Sequence, residues 1–126
     1  MKILPLIQAL RPKQWTKNAV VLAAFVFALG DPGQSMEPAR ALRTALEAMF
    51  LFCLVSSAVY LLNDLRDRAL DRQHPVKKNR PIASGQVRPI TALVTAGILL
   101  TVGLTGAYWI EPNFFLILSA YLMLQI

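Results

Sequence analysis

The segment Tyr60-Leu-Leu-Asn-Asp-Leu-Arg-Asp-Arg-Ala-Leu-Asp71 lies at the end of an apolar run. Three aspartates sit where a hydrophobic helix would leave a membrane, and a dense basic loop follows them. If the helix continues through the motif, Tyr60, Asn63, Asp64, Asp67 and Asp71 fall at i, i+3, i+4, i+7 and i+11. At roughly 100° per residue, all five occupy about a third of the helix circumference. Solubility does not require carboxylates to converge in this way, and their mutual repulsion must be offset. A hard divalent cation carrying a phosphate group would do so, because Mg²⁺ takes one or two carboxylates and leaves positions for substrate oxygens. The motif therefore points to a Mg²⁺–diphosphate site at a membrane surface.

The rest of the composition agrees with a membrane setting. The 126 residues are 56% hydrophobic with a mean hydropathy of +0.49, which reads as a polytopic membrane chain rather than a soluble domain. Basic residues outnumber acidic ones by 13 to 7, for a net charge of +6. In a membrane protein that excess suggests cytoplasmic loops beside anionic lipid, and no aromatic-interleaved basic patch argues for nucleic acid. Cys53 stands alone, so there is no disulfide framework. The N-terminus is not a secretory signal: Pro5 breaks its apolar stretch, and Arg11, Lys13 and Lys17 follow in place of a cleavage site.

Residues 3–14 read as an interfacial segment, with Trp15 at headgroup level and Lys13 and Lys17 reaching to phosphates. Spans are expected at roughly 15–30, 42–62, 89–110 and 114–126, joined by a polar connection after Asp31-Pro-Gly33, the loop 63–88 and the tight turn Glu111-Pro-Asn113. Arg43 and Glu47, spaced i, i+4, are placed to pair. Gly97, Thr101 and Thr105 give the third span a small-residue stripe for helix packing. The fourth span stops after Ile126, short of about 20 residues. Seven of the thirteen basic residues lie between 63 and 89. The positive-inside rule then puts both that loop and the N-terminus in the cytoplasm, with the multi-pass chain in the inner (plasma) membrane.

Each feature has a plainer reading. The aspartates could be a solvated helix end paired with Arg66 or Arg68, but three on one face beside Asn63 and Tyr60 favour a site. The basic loop could be ordinary positive-inside charge. Lys77, Lys78 and Arg80 stand apart because Pro75 and Pro81 hold them in a defined shape suited to a diphosphate. His74 is a structural or hydrogen-bonding residue, Trp109 an interface anchor, and Cys53 a lipid-facing or packing residue.

Asn63-Asp64-x-x-Asp67-x-x-x-Asp71 followed by Arg80-Pro-Ile-Ala-Ser-Gly85 resembles the first aspartate-rich motif of the UbiA superfamily of intramembrane prenyltransferases. Within it, Leu10-Arg-Pro-Lys-Gln-Trp-Thr-Lys-Asn18 and His74-Pro-Val-Lys-Lys-Asn-Arg-Pro-Ile-Ala-Ser-Gly85 are similar to the decaprenyl-phosphate phosphoribosyltransferase branch. The resemblance implies a UbiA-like bundle of nine helices, of which about four are present, and a second aspartate-rich motif that these residues do not include. It implies Mg²⁺-dependent transfer of a 5-phosphoribosyl group from phosphoribosyl diphosphate to a polyprenyl (decaprenyl) phosphate, for cell-wall arabinan precursor synthesis. Asp64, Asp67 and Asp71 would be catalytic and, with Asn63, would hold Mg²⁺. Lys77, Lys78 and Arg80 would bind donor phosphates, Lys17 would orient a lipid or donor phosphate, and Tyr60 would hydrogen-bond a phosphate or the sugar. The chain is expected to contact membrane lipid and no nucleic acid, to be compatible with homo-oligomer formation, and to be inactive alone. Two rivals remain: prenyl transfer from a prenyl diphosphate to an aromatic acceptor, and a non-catalytic, lipid-binding membrane fragment.

Overall fold

The computed structural model describes residues 3–19 and 37–125. Helix α1 covers Ile3–Ala9 and is followed by a 3-10 segment at Pro12–Ala19. Helix α2 is Pro38–Arg66, α3 is Arg68–Gln73, α4 is Pro89–Ile110 and α5 is Pro112–Gln125, with a short 3-10 turn at Lys77–Asn79. Among the described residues there is no strand, and the fold is an all-α membrane helical one. Residues 20–30 of the first expected span, and the Asp31-Pro-Gly33 turn, lie outside the described residues.

Both long helices begin with proline at the first turn, where a missing N–H costs nothing and the fixed φ favours helix. Helices α2 and α4 are long and apolar enough to cross a membrane. Charge marks the boundaries of that apolar length. Between Glu47 and Asp64 there is no charged residue, a rise of about 26 Å, close to the hydrocarbon thickness. Arg43 donates from Nε to Glu47 at 2.9 Å at one end of α2, and the aspartates lie at the other. The expected tight turn at 111–113 is shorter than anticipated. Only Glu111 separates α4 from α5, because Pro112 starts the next helix and Asn113 lies inside it.

Helices α2 and α4 pack antiparallel through small residues. Ala58 and Leu61 meet Ala92 and Ala96 in one buried cluster, while Leu51 and Val55 meet Ala107 and Leu118 in another. The packing stripe of α4 is therefore Ala92, Ala96, Gly103 and Ala107. The expected stripe of Gly97, Thr101 and Thr105 is a correction: Thr101 and Gly97 are exposed, and the Thr101 hydroxyl donates to the Gly97 carbonyl at 2.8 Å. Small residues occur on both faces of α4, and large partners on α2 select one of them. Helix α5 closes the far end, with Phe52 against Tyr121 at 4.6 Å between ring centroids and Tyr108 edge-on to Phe115 at 5.8 Å.

At Gly103 an added Cβ would lie 2.7 Å from Val55 Cγ2, whereas at Gly97 it would meet nothing within 4 Å. Gly103→Ala is expected to destabilise the helix pair by about 1–3 kcal/mol, and Gly97→Ala to be neutral or slightly stabilising. Thermal unfolding in detergent checks this; equal effects would place the interface on the other face.

Candidate functional site

The apolar cluster at one end of the α2–α4 pair does more than join two helices. Besides Ala58, Leu61, Ala92 and Ala96 it contains Ala9 from α1 and Ile82 and Val87 from the loop after α3. Ala9 lies two residues before Arg11, Ile82 two after Arg80, and Leu61 three before Asp64. Burying these neighbours brings the three charged side chains together.

Helix α2 ends at Arg66, and Asp67 leaves the helical conformation at φ −89°, ψ 7°. The ladder nevertheless continues across it, with Asp67 N–H donating to Asn63 at 2.9 Å and Asp71 N–H to Asp67 at 2.8 Å. Asp64 and Asp71 end up buried, each 4% exposed. One guanidinium nitrogen of Arg80 lies 3.3 Å from the Asp64 carboxylate and 3.2 Å from that of Asp71. Arg11 donates to the same Asp64 oxygen at 2.6 Å and lies over the Tyr60 ring, 4.7 Å from its centroid. Two carboxylates and two guanidinia form a cluster of zero net charge. Buried carboxylates are tolerable only when paired and hydrogen-bonded in this way.

The loop that presents Arg80 is folded by its own hydrogen bonds. The His74 N–H donates to Asp71 at 3.1 Å, and His74 Nδ1 accepts from the backbone N–H groups of Val76 and Lys77, both at 3.1 Å. His74 is thus a hydrogen-bonding residue, as its sequence context suggested. Arg72 donates from Nε to the Ala83 carbonyl at 3.0 Å. Gly85 turns the chain at φ +86°, in the left-handed region that favours glycine, and Val87 N–H closes back on Pro81 at 3.0 Å.

The expected site residues separate into groups. Asp64, Asp71 and Arg80 are brought together, and Tyr60 joins them through Arg11. Asp67 is not part of that cluster: its half-exposed carboxylate lies 3.5 Å from Arg66. Asn63 is partly buried one residue before Asp64. Lys77 and Lys78 are exposed on the 3-10 turn beside His74, and Lys17 is exposed near the end of Pro12–Ala19. Among the described residues, no three acidic, histidine or cysteine side chains converge as a ready metal cage. Asp64 and Asp71 do converge on one cationic nitrogen. That pair matches the one or two carboxylates Mg²⁺ takes when phosphates fill the remaining positions, so the donor set fits the ion.

Sequence reasoning missed Arg11 as a site residue. Its signal was the shared side assigned to the N-terminus and the aspartates, but a partner 53 residues away has no spacing to betray it. Trp15, expected at headgroup level, is also tied to α2. Its indole N–H donates to Ser57 at 2.8 Å, and the Ser57 hydroxyl donates to the Leu10 carbonyl at 2.9 Å. This relay pins the N-terminal segment to α2.

An α-helical membrane protein with a charge-paired site at one end of its apolar helices is the class these features define. A model of the UbiA prenyltransferase family matches residues 17–126, and the chain belongs to that family. It is 42% identical over 120 residues to a decaprenyl-phosphate phosphoribosyltransferase of Mycobacterium tuberculosis, covering 95% of this chain and 39% of the relative. The corresponding protein of Mycolicibacterium smegmatis is 40% identical over 121 residues, 96% of this chain and 38% of its own length. Protoheme IX farnesyltransferase 2 of Pseudoalteromonas atlantica is 33% identical over 90 residues, 71% of this chain and 30% of its own. The chain thus spans about two fifths of the length of the phosphoribosyltransferases it resembles.

Asp64→Ala leaves both Arg80 and Arg11 without their shared acceptor. It is expected to cost about 2–4 kcal/mol in chemical denaturation, against under about 1 kcal/mol for Asp67→Ala at its exposed pair. Equal costs would contradict the pairing.

Proposed function

We propose that this chain forms the donor-binding part of a membrane transferase that moves a 5-phosphoribosyl group from phosphoribosyl diphosphate to a polyprenyl phosphate. The observation that carries the reading is the pair of buried carboxylates converging on Arg80, beside the Lys77–Lys78 turn. The similarity to phosphoribosyltransferases over almost the whole chain supports the choice of donor. In the reaction, an oxygen of the acceptor phosphate attacks C1 of the ribosyl group. The C1–O bond to diphosphate breaks, and the diphosphate leaves with the electron pair. The acceptor is already an anion at neutral pH, so no protein nucleophile is required.

Lys77, Lys78 and Arg80 bind the donor's phosphate oxygens, with the turn around His74 fixing the two lysines relative to Arg80. Asp64 and Asp71, with Asn63 alongside, would hold Mg²⁺, and Asp67 would join them only by giving up its contact with Arg66. The ion, when bound, neutralises charge that develops on the departing diphosphate. Tyr60 orients Arg11 through its ring and carries a hydroxyl suited to the sugar or a phosphate. Lys17 orients a phosphate from the N-terminal segment. The site is assigned to the cytoplasmic face, where a soluble, highly charged donor is available and a lipid acceptor arrives through the bilayer. Cell-wall precursor synthesis is the corresponding role.

A diphosphate grip of this kind also suits a prenyl diphosphate, and the farnesyltransferase similarity over 71% of the chain keeps that chemistry as the rival. Membranes containing a complete transferase that carries this chain should transfer label from phosphoribosyl diphosphate into a polyprenyl phosphate lipid only when Mg²⁺ is present. Transfer solely from a prenyl diphosphate to an aromatic acid would overturn the reading. Asp71→Asn should abolish this transfer while leaving membrane insertion intact, and near-normal turnover at saturating Mg²⁺ would remove Asp71 from the metal. Lys77→Ala is expected to raise the donor KM about tenfold, with a smaller change in kcat. A cysteine at the exposed Gln86 should react with membrane-impermeant thiol reagents only after the membrane is opened. Labelling in intact cells would reverse the topology.

A further inference from the structure

We infer that the corner between α1 and the Pro12–Ala19 segment holds the phosphate of the lipid acceptor, in a subsite separate from the donor's. The inference rests on the phosphoribosyl-transfer reading for what it faces, and on geometry for where it lies. A cavity of about 500 Å³ is lined there by Ile7, Gln8, Arg11, Pro12, Lys13 and Gln14. That is a volume suited to a headgroup and the first part of its chain.

The lining has two characters, and only an amphipathic ligand matches both. Ile3, Leu4 and Ile7 form an exposed apolar face on α1, while Pro5 and Ala9, on the opposite side of the helix, are buried. In a membrane protein such an outward apolar face lies against acyl chains, so a lipid tail can run along it with its head in the cavity. The polar lining among the described residues consists of Arg11, Lys13, Gln8 and Gln14, with no acidic side chain among them. Lys13 is exposed and forms no ion pair among the described residues. Two cations and two amides suit a phosphomonoester, which carries more charge than the phosphodiester of an ordinary phospholipid.

Arg11 links this cavity to the aspartates. Its backbone sits at φ +55°, in the left-handed region that a non-glycine residue adopts only at a cost. Hydrogen bonds hold it there: its N–H donates to Gln8 at 3.1 Å, and its carbonyl accepts from Gln14 at 2.9 Å. The resulting side chain lines the cavity and also reaches Asp64 at 2.6 Å. One side chain therefore borders both the cavity and a carboxylate assigned to the diphosphate side. An acceptor phosphate in the corner and a leaving diphosphate at Asp64 and Asp71 would flank the reacting carbon, as displacement at C1 requires.

The test is equilibrium binding of a polyprenyl phosphate, and separately of phosphoribosyl diphosphate, to the protein in nanodiscs of zwitterionic lipid. Lys13→Ala should weaken polyprenyl phosphate about tenfold or more, Lys13→Arg should restore it, and neither should change phosphoribosyl diphosphate binding. Lys77→Ala should show the reverse pattern. Phosphatidylglycerol at equal mole fraction should not compete. Unchanged acceptor binding in Lys13→Ala, or equal competition by phosphatidylglycerol, would overturn the subsite. Lys13-dependent binding of polyprenyl phosphate by a protein that does not bind phosphoribosyl diphosphate would uphold the subsite and overturn the donor assignment instead.

Discussion

The Asp64 carboxylate is the point on which this structure turns. It is buried at the end of an apolar helix, where an unpaired anion would be intolerable. Its two cationic partners come from separate parts of the chain: Arg11 from the N-terminal segment and Arg80 from the loop after α3. Satisfying one carboxylate therefore fixes the position of both segments. Arg80 also reaches Asp71, which ties α3 to the same centre. Tertiary structure at this end of the molecule and the geometry of the site are one arrangement.

Apolar packing makes the arrangement possible. The small residues of α4 let it approach α2 closely, and Ile82, Val87 and Ala9 join the same cluster. The loop and the N-terminal segment are thus anchored by burial a few residues from each arginine, and the Trp15–Ser57–Leu10 relay adds a polar tie to α2. Such a scaffold holds Arg80 in place between its two carboxylates, which would limit the entropy lost if the proposed donor binds there. It also explains why the site can use carboxylates and arginines together. Asp64 and Asp71 are balanced by Arg11 and Arg80, so the cluster is neutral as it stands.

Much of this was legible in the sequence because it depends on local periodicity. The apolar lengths inside α2 and α4, the Arg43–Glu47 pair and the aspartates at the helix end all follow from spacing along one element, whereas the start of α2 at Pro38, four residues before the expected span, does not. Gly85 was readable as a turn for the same reason. The Arg11–Asp64 contact was not legible, since nothing local specifies a partner across 53 residues. The true stripe of α4 was missed because Gly97, Thr101 and Thr105 are as small as Ala92, Ala96 and Gly103. The choice between those faces is made by Leu51, Val55 and Leu61 on another helix. Asp67 was placed on the common arc by assuming an uninterrupted helix, and the single non-helical residue at that position sends its carboxylate toward Arg66.

The central claim is that Asp64 couples the N-terminal segment to the loop through two arginines at once. A double-mutant cycle with Arg11→Gln and Arg80→Gln, read as unfolding free energy in a fixed lipid environment, addresses it directly. Strong non-additivity of about 1 kcal/mol or more is expected, because the first substitution removes half of the compensation on a shared buried carboxylate. The coupling should vanish when the cycle is repeated on an Asp64→Asn background. Additivity within about 0.5 kcal/mol in the parent protein would mean that the two arginines act independently, and would contradict the account.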